Sequence, residues 1–145
     1  MIYAEQTSLD DSRLKQMLAD HQVRPTSQRV KIAAVLLAHA QHLSADQVLA
    51  KVNKNSAMVS KATVYNTLNL FAEKGLIRQV IIDSSRVFYD SNTAAHHHIY
   101  NEDTCQLIDI DASQIKIDNL PPIPLETYST GIDVIIRVRN NAETK

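Results

Sequence analysis

Three consecutive histidines, His96, His97 and His98, are the residues of this chain best placed to do chemistry. On an extended strand successive side chains face opposite ways, so His96 and His98 share a face and His97 turns from it. Two imidazoles on one face, with backbones roughly 7 Å apart, can hold one metal ion. Further ligands must come from other segments. Asp90 lies shortly before the run, and Asp109 falls on the next strand-like stretch. Imidazole and carboxylate donors suit Fe2+, Mn2+ or Zn2+; five- or six-fold coordination favours the first two, while zinc competes on affinity. Such a histidine-rich site can also supply axial ligands to haem. A solvated histidine run, or core histidines satisfied by hydrogen bonds, is the plainer alternative. The single cysteine, Cys105, excludes an internal disulfide and any zinc site built from several thiolates of one chain.

The elements that must position these groups change character along the chain. Leu14, Met17 and Leu18 line one face of a first helix over 12–22. Arg24-Pro25-Thr26-Ser27 stops one helix and caps the next, an apolar segment reaching about His39. Ser44 and Gln47 have the spacing of a capping box at the start of a third helix. A fourth begins near Ser60, with Val64, Leu68, Phe71 and Ala72 as its apolar stripe, and ends before Gly75. Two strands follow, over 76–82 and 87–89, joined by the turn residues Asp83 to Arg86. Three helices and a hairpin predict a winged helix-turn-helix, with the helix before the wing placed to enter a DNA major groove.

Residues 91–95 are small and polar and read as a linker, which divides the chain into a domain over 1–90 and another over 96–145. The second offers strand-like runs at 96–100, 106–110 and 132–138, a proline-rich stretch at 120–124, and at most a short helix over 125–129. That is too little to enclose a core, so a homodimer is expected to complete it. The fold class is therefore α+β: an N-terminal winged helix-turn-helix and a small C-terminal α/β dimerisation domain.

Charge follows the same division. Between His21 and Arg86 there are nine Lys/Arg against three Asp/Glu; from Ser91 to Lys145 there are four against eight. A basic N-terminal half suits double-stranded DNA. Lys61, Thr63, Tyr65 and Asn66, on the fourth helix, lie off its apolar stripe and can meet phosphate, a thymine methyl or adenine. Arg24, Arg29 and Arg86 are candidate backbone contacts. No apolar run approaches the roughly 18 residues of a membrane span. The segment Met1–Gln6 lacks the basic start of a signal peptide, so no membrane partner and a cytoplasmic location are expected.

Taken in order, Arg24-Pro25-Thr26-Ser27-Gln28-Arg29, His42-Leu43-Ser44-Ala45, Ala62-Thr63-Val64-Tyr65-Asn66-Thr67-Leu68, Gly75-Leu76, Tyr89-Asp90 and His96-His97-His98 resemble the Fur (ferric uptake regulator) family of metal-responsive repressors. The resemblance covers roughly residues 10 to 110. It implies a homodimer, a regulatory metal between the domains, and the ligand set His42, Asp90, His96, His98 and Asp109; of these, only the family singles out His42. There are departures. Asn101 and Thr104 stand where family members commonly carry the cysteines of a CxxC, and a later cysteine pair is absent, which argues against a cysteine-based structural zinc. Asn66 stands where many ferric uptake regulators have arginine. The short C-terminal domain without cysteine pairs looks most like the iron-response regulator (Irr) branch, associated with haem and iron status. A peroxide- or manganese-sensing repressor of the same family is the alternative. Two other classes are weaker: a metal-dependent enzyme, which would need an open coordination position and a substrate pocket, and a winged-helix protein-interaction module.

Overall fold

The computed structural model describes residues 10–54 and 59–142. The segment 1–6, read above as lacking a signal peptide, lies outside them. The chain divides into two compact units, one ending at Thr93 and one beginning at Ala94.

The first unit opens with helices α1 (Asp11–Asp20) and α2 (Ser27–Leu36), capped by the side chains of Asp10 and Thr26. Strand β1 (His42–Ser44) leads into α3 (Ala45–Val52), and α4 spans Lys61–Glu73. The capping box expected at Ser44 and Gln47 forms, each side chain accepting from the other's backbone amide. Ser60 caps α4 through the Thr63 amide at 3.1 Å. Gly75, at φ +79°, closes α4: its amide reaches Ala72 O and the Leu76 amide reaches Phe71 O. That bond pattern needs a left-handed residue, which glycine adopts without a Cβ penalty. It also occupies the Leu76 amide, so the following strand starts at Arg78 and not at residue 76.

Strands β2 (Arg78–Asp83) and β3 (Arg86–Asp90) form the wing hairpin. With β1 they make an antiparallel sheet in the order β1-β3-β2. Leu14, Leu18, Ile32, Leu36, Val48, Val64, Leu68, Phe71 and Tyr89 share one continuous buried cluster. One sequence expectation needs correction here. Helix α2 ends at Leu36 and not near His39, because the Gln41 side-chain amide donates to the carbonyls of Val35 (2.9 Å) and Leu36 (3.1 Å). His42 opens β1, a strand that the sequence did not suggest. At three residues, β1 is too short to show a period in the sequence.

The second unit is a three-stranded sheet of order β5-β4-β6. Strand β4 (His96–Asn101) runs antiparallel to β5 (Gln106–Asp111) and parallel to β6 (Ile135–Val138). A 3-10 turn, Ala112–Gln114, follows β5. Residues 115–134 carry no helix or strand; where a short helix was expected over 125–129, the Thr127 amide closes a turn on Pro124 O. Glu126, at φ +64°, lies in the left-handed region, through which a right-handed helix cannot run.

Candidate metal centre

Alternation along β4 decides which histidines meet. His96, His98 and Tyr100 face inward and are buried, while His97, Ile99 and Asn101 are partly exposed. The His96 and His98 rings lie 4.5 Å apart, edge to face. In the ladder with β5, His98 stands opposite Asp109 and His96 opposite Asp111. The Asp109 carboxylate approaches both rings, 3.6 Å from His96 Nε2 and 3.4 Å from His98 Nε2. Ligand atoms of these three residues all lie within 4.8 Å of one another.

Asp111 has equal access by register but a different task. Its Oδ1 accepts from the Ser113 amide at 2.9 Å and the Ser113 hydroxyl at 2.8 Å. Those bonds, amide first, hold its carboxyl below the usual aspartate value. The ladder alone would not separate the two aspartates; the Asp-x-Ser turn does.

His96 also shows the orientation that a ligand needs. Its Nδ1 lies 2.6 Å from Ala94 O, and a carbonyl only accepts, so Nδ1 carries the proton. In the neutral ring the lone pair is then on Nε2, the nitrogen facing Asp109. A backbone carbonyl fixing the tautomer in this way is the usual outer support of a metal-bound imidazole. His97 does the opposite: its Nδ1 accepts from the Val134 amide at 3.1 Å and helps seat the approach to β6.

In the first unit, His42 and Asp90 are direct partners in the β1–β3 ladder, and Arg78 faces Asp90 from β2. Asp90 is 1% exposed, an unusual place for a carboxylate. One of its oxygens accepts from the Asn92 amide at 2.9 Å.

Of the residues singled out for DNA, four lie on α4 and one on the wing, while Arg24 lies just before α2 and Arg29 in its first turn. Lys61, Tyr65 and Asn66 are exposed on α4, and Thr63 is partly buried beside the Ser60 cap. Lys61 Nζ lies 3.7 Å from Asp46 and 5.7 Å from the centre of the Tyr65 ring. Arg86 is exposed at the start of β3. Arg24 is exposed, whereas Arg29 turns back to donate to Arg24 O at 2.9 Å. Sequence reasoning passed over one tie: the buried Tyr89 hydroxyl donates to Asn69 Oδ1 at 2.9 Å, anchoring α4 to the middle strand of the wing sheet. A tyrosine in a strand otherwise inward and apolar is the only sequence signal for it.

These features define a winged-helix protein with a histidine–carboxylate cluster on a separate sheet. The family model of the ferric uptake regulators matches residues 20–120, and the chain belongs to that family. The peroxide-responsive repressor PerR of Staphylococcus aureus is 30% identical over 94 residues, 65% of this chain and 64% of that protein. The matched part thus spans somewhat less than two thirds of that relative. Among solved structures, the ferric uptake regulator of Pseudomonas aeruginosa with manganese has a TM-score of 0.67 at 22% identity, covering 87% of this chain and 96% of that one. The ferric uptake regulator of Francisella tularensis with iron has a TM-score of 0.65 at 22% identity, covering 81% and 91%. The fold class is that of these proteins.

Proposed function

We propose that this chain is a divalent-metal-responsive transcription regulator that binds operator DNA as a homodimer in the cytoplasm. The observation that carries the reading is the buried pairing of His96 and His98 over one Asp109 carboxylate, with the His96 tautomer already set for ligation. Solvated histidines need no such arrangement. His42 and Asp90, partners at the end of the first unit's ladder, complete the ligand set in this reading, with residues 91–95 as the linker. Holding one cation from both sides of that linker would tie the units together and set how far apart the α4 helices of a dimer stand. Coupling of this kind is typically worth about 1–3 kcal/mol.

Fe2+ and Mn2+ suit five nitrogen and oxygen donors, and Zn2+ binds in competition. Iron and manganese are also the metals named for two structures that share the fold. Haem fits less well, since His96 and His98 are both buried and crowd one carboxylate, leaving no open imidazole to face a macrocycle. Iron-status regulation of the Irr kind remains our reading of the short C-terminal domain. Peroxide sensing by the same site is the second reading, favoured by the 30% identical repressor. Peroxide treatment of the iron-loaded protein separates them: lost DNA binding supports peroxide sensing, and unchanged binding supports metal status.

Operator binding would use Lys61, Thr63, Tyr65 and Asn66 on α4, with Arg24, Arg29 and Arg86 toward phosphate. A gel-shift series should weaken steeply as salt rises, which a protein-interaction module would not show. The decisive test replaces His96 and His98 together by alanine. Mn2+- or Fe2+-dependent DNA binding is expected to disappear while the circular dichroism of the helices stays. A double variant that responds to metal like the wild type would sink the proposal. Turnover of a substrate by metal-loaded protein would instead restore the enzyme reading.

A further inference from the structure

The strand pair that carries His42 and Asp90 continues one step past them. The Ser91 amide donates to Gln41 O at 3.0 Å, and the Gln41 amide donates to Ser91 Oγ at 3.1 Å. The Ser91 hydroxyl in turn has two carbonyls within reach, those of His39 and Gln41, both at 3.2 Å. Gln41 spends its side-chain amide on the last carbonyls of α2. Ser91 thereby ties the end of β3 to the start of β1 and the loop leaving α2, from which the sequence separates it by 50 residues.

The position of this knot matters more than its size. Gln41 immediately precedes His42, and Ser91 immediately follows Asp90. Strand β1 has three residues, so it has little pairing of its own with which to resist fraying. One Asp90 oxygen is already held by the Asn92 amide, one residue beyond Ser91. The hydroxyl of Ser91 is both acceptor and donor there; an alanine would leave the Gln41 amide without its acceptor and free the loop at 39–41.

We propose that Ser91 is a positioning residue for the divalent cation, fixing the spacing and orientation of His42 and Asp90 without ligating the ion. The inference rests on the reading of those two residues as ligands. Groups that orient ligands from behind commonly change metal affinity by about 10–100-fold when lost. A serine that served stability alone would lower the melting temperature and leave the affinity of the folded protein untouched.

The test uses the full chain well below its melting temperature. Mn2+ affinity is measured by competition with a chromophoric chelator, and ligand geometry from the visible absorption bands of Co2+-loaded protein. Ser91→Ala is expected to weaken Mn2+ binding about 10-fold or more and to alter the Co2+ bands, and Ser91→Thr, which keeps the hydroxyl, to restore both. Should Ser91→Ala fail to fold, Ser91→Val, which has the shape of the threonine without its hydroxyl and supplies no metal ligand, carries the same two outcomes. Asp90→Ala is the companion variant. If Asp90→Ala loses affinity while Ser91→Ala binds and absorbs like the wild type, Ser91 has no positioning role. If Asp90→Ala itself binds like the wild type, the parent reading of the ligands fails and the inference goes with it.

Discussion

The two units of this chain solve the problem of burial differently. In the first, every residue of the continuous core cluster lies from Leu14 to Tyr89, drawn from four helices, the wing sheet and the segments that join them. In the second, the buried apolar residues are Tyr100, Leu107 and Ile110, and two of the remaining buried places belong to His96 and His98. Large apolar side chains stay outside: Leu125 is 94% exposed and Tyr128 83%, with Leu120 and Ile123 more than half exposed. One unit is held by its own hydrophobic core. The other has too little of one and offers instead a polar centre and an apolar surface, each of which asks for something from outside the chain. The contrast teaches where regulation can enter. Where the homodimer and the cation proposed above complete that unit, they can also change its state.

The sharpest way to break this comparison is to damage the self-sufficient core. Phe71 is fully buried at the centre of the first unit's cluster. Phe71→Ala is expected to cost about 3–5 kcal/mol, read from urea denaturation followed by helical circular dichroism. Resonances of Tyr100 and its β5 neighbours should follow a separate transition, with a urea midpoint that the substitution does not move. If they vanish together with the helices, the units do not have separate cores in any useful sense.

A smaller effect, in the opposite unit, sharpens it. Replacing Leu125 and Tyr128 together by aspartate removes no buried contact within the described residues, so the helical unfolding transition should move by less than about 0.5 kcal/mol. The oligomer should respond instead. For the homodimer proposed above, sedimentation is expected to show dissociation at concentrations where the wild type stays paired. A variant that remains dimeric at the same concentrations would take this apolar surface out of the interface and leave its exposure unexplained.

How much of this was legible beforehand follows the same division. The N-terminal helices and wing announce themselves because capping residues, a glycine stop and apolar periods of 3.6 and 2 all agree over long segments. Ser44 with Gln47 and Ser60 before α4 form as their spacing suggested. Strand β1 was hidden because it has only three residues, its pairing partner lies nearly 50 residues on, and its last residue, Ser44, doubles as the cap of α3. The His96–His98 face could be read from alternation alone. The tautomer of His96 and the engagement of Asp111 by Ser113 could not, since both depend on backbone turns that no pattern of residue types dictates. In the C-terminal unit, period-2 signals were short, and the proline-rich segment argued only against a helix without saying what would replace it.

The smallest expected effect compares one motif used in both units. Asp83-Ser84-Ser85 closes the wing hairpin, and Asp111-Ala112-Ser113 starts the 3-10 turn after β5. Each aspartate accepts from the amide and hydroxyl of the serine two residues on, at 2.9 and 2.8 Å in both cases. The serine amide, then its hydroxyl, lowers each carboxyl below its ordinary 3.8, with Arg86 adding to the effect at Asp83. A lowered folded value means that the ionised turn supports folding above pH 3.8 and loses that support as pH falls through the depressed value. Both carboxylates are solvent-exposed, so screening keeps the gain small. Ser85→Ala and Ser113→Ala should each return their own aspartate toward 3.8 in a carboxyl NMR titration and leave the other unmoved. If either variant shifts both aspartates, the two turns are coupled and are not the separate local devices that their geometry describes.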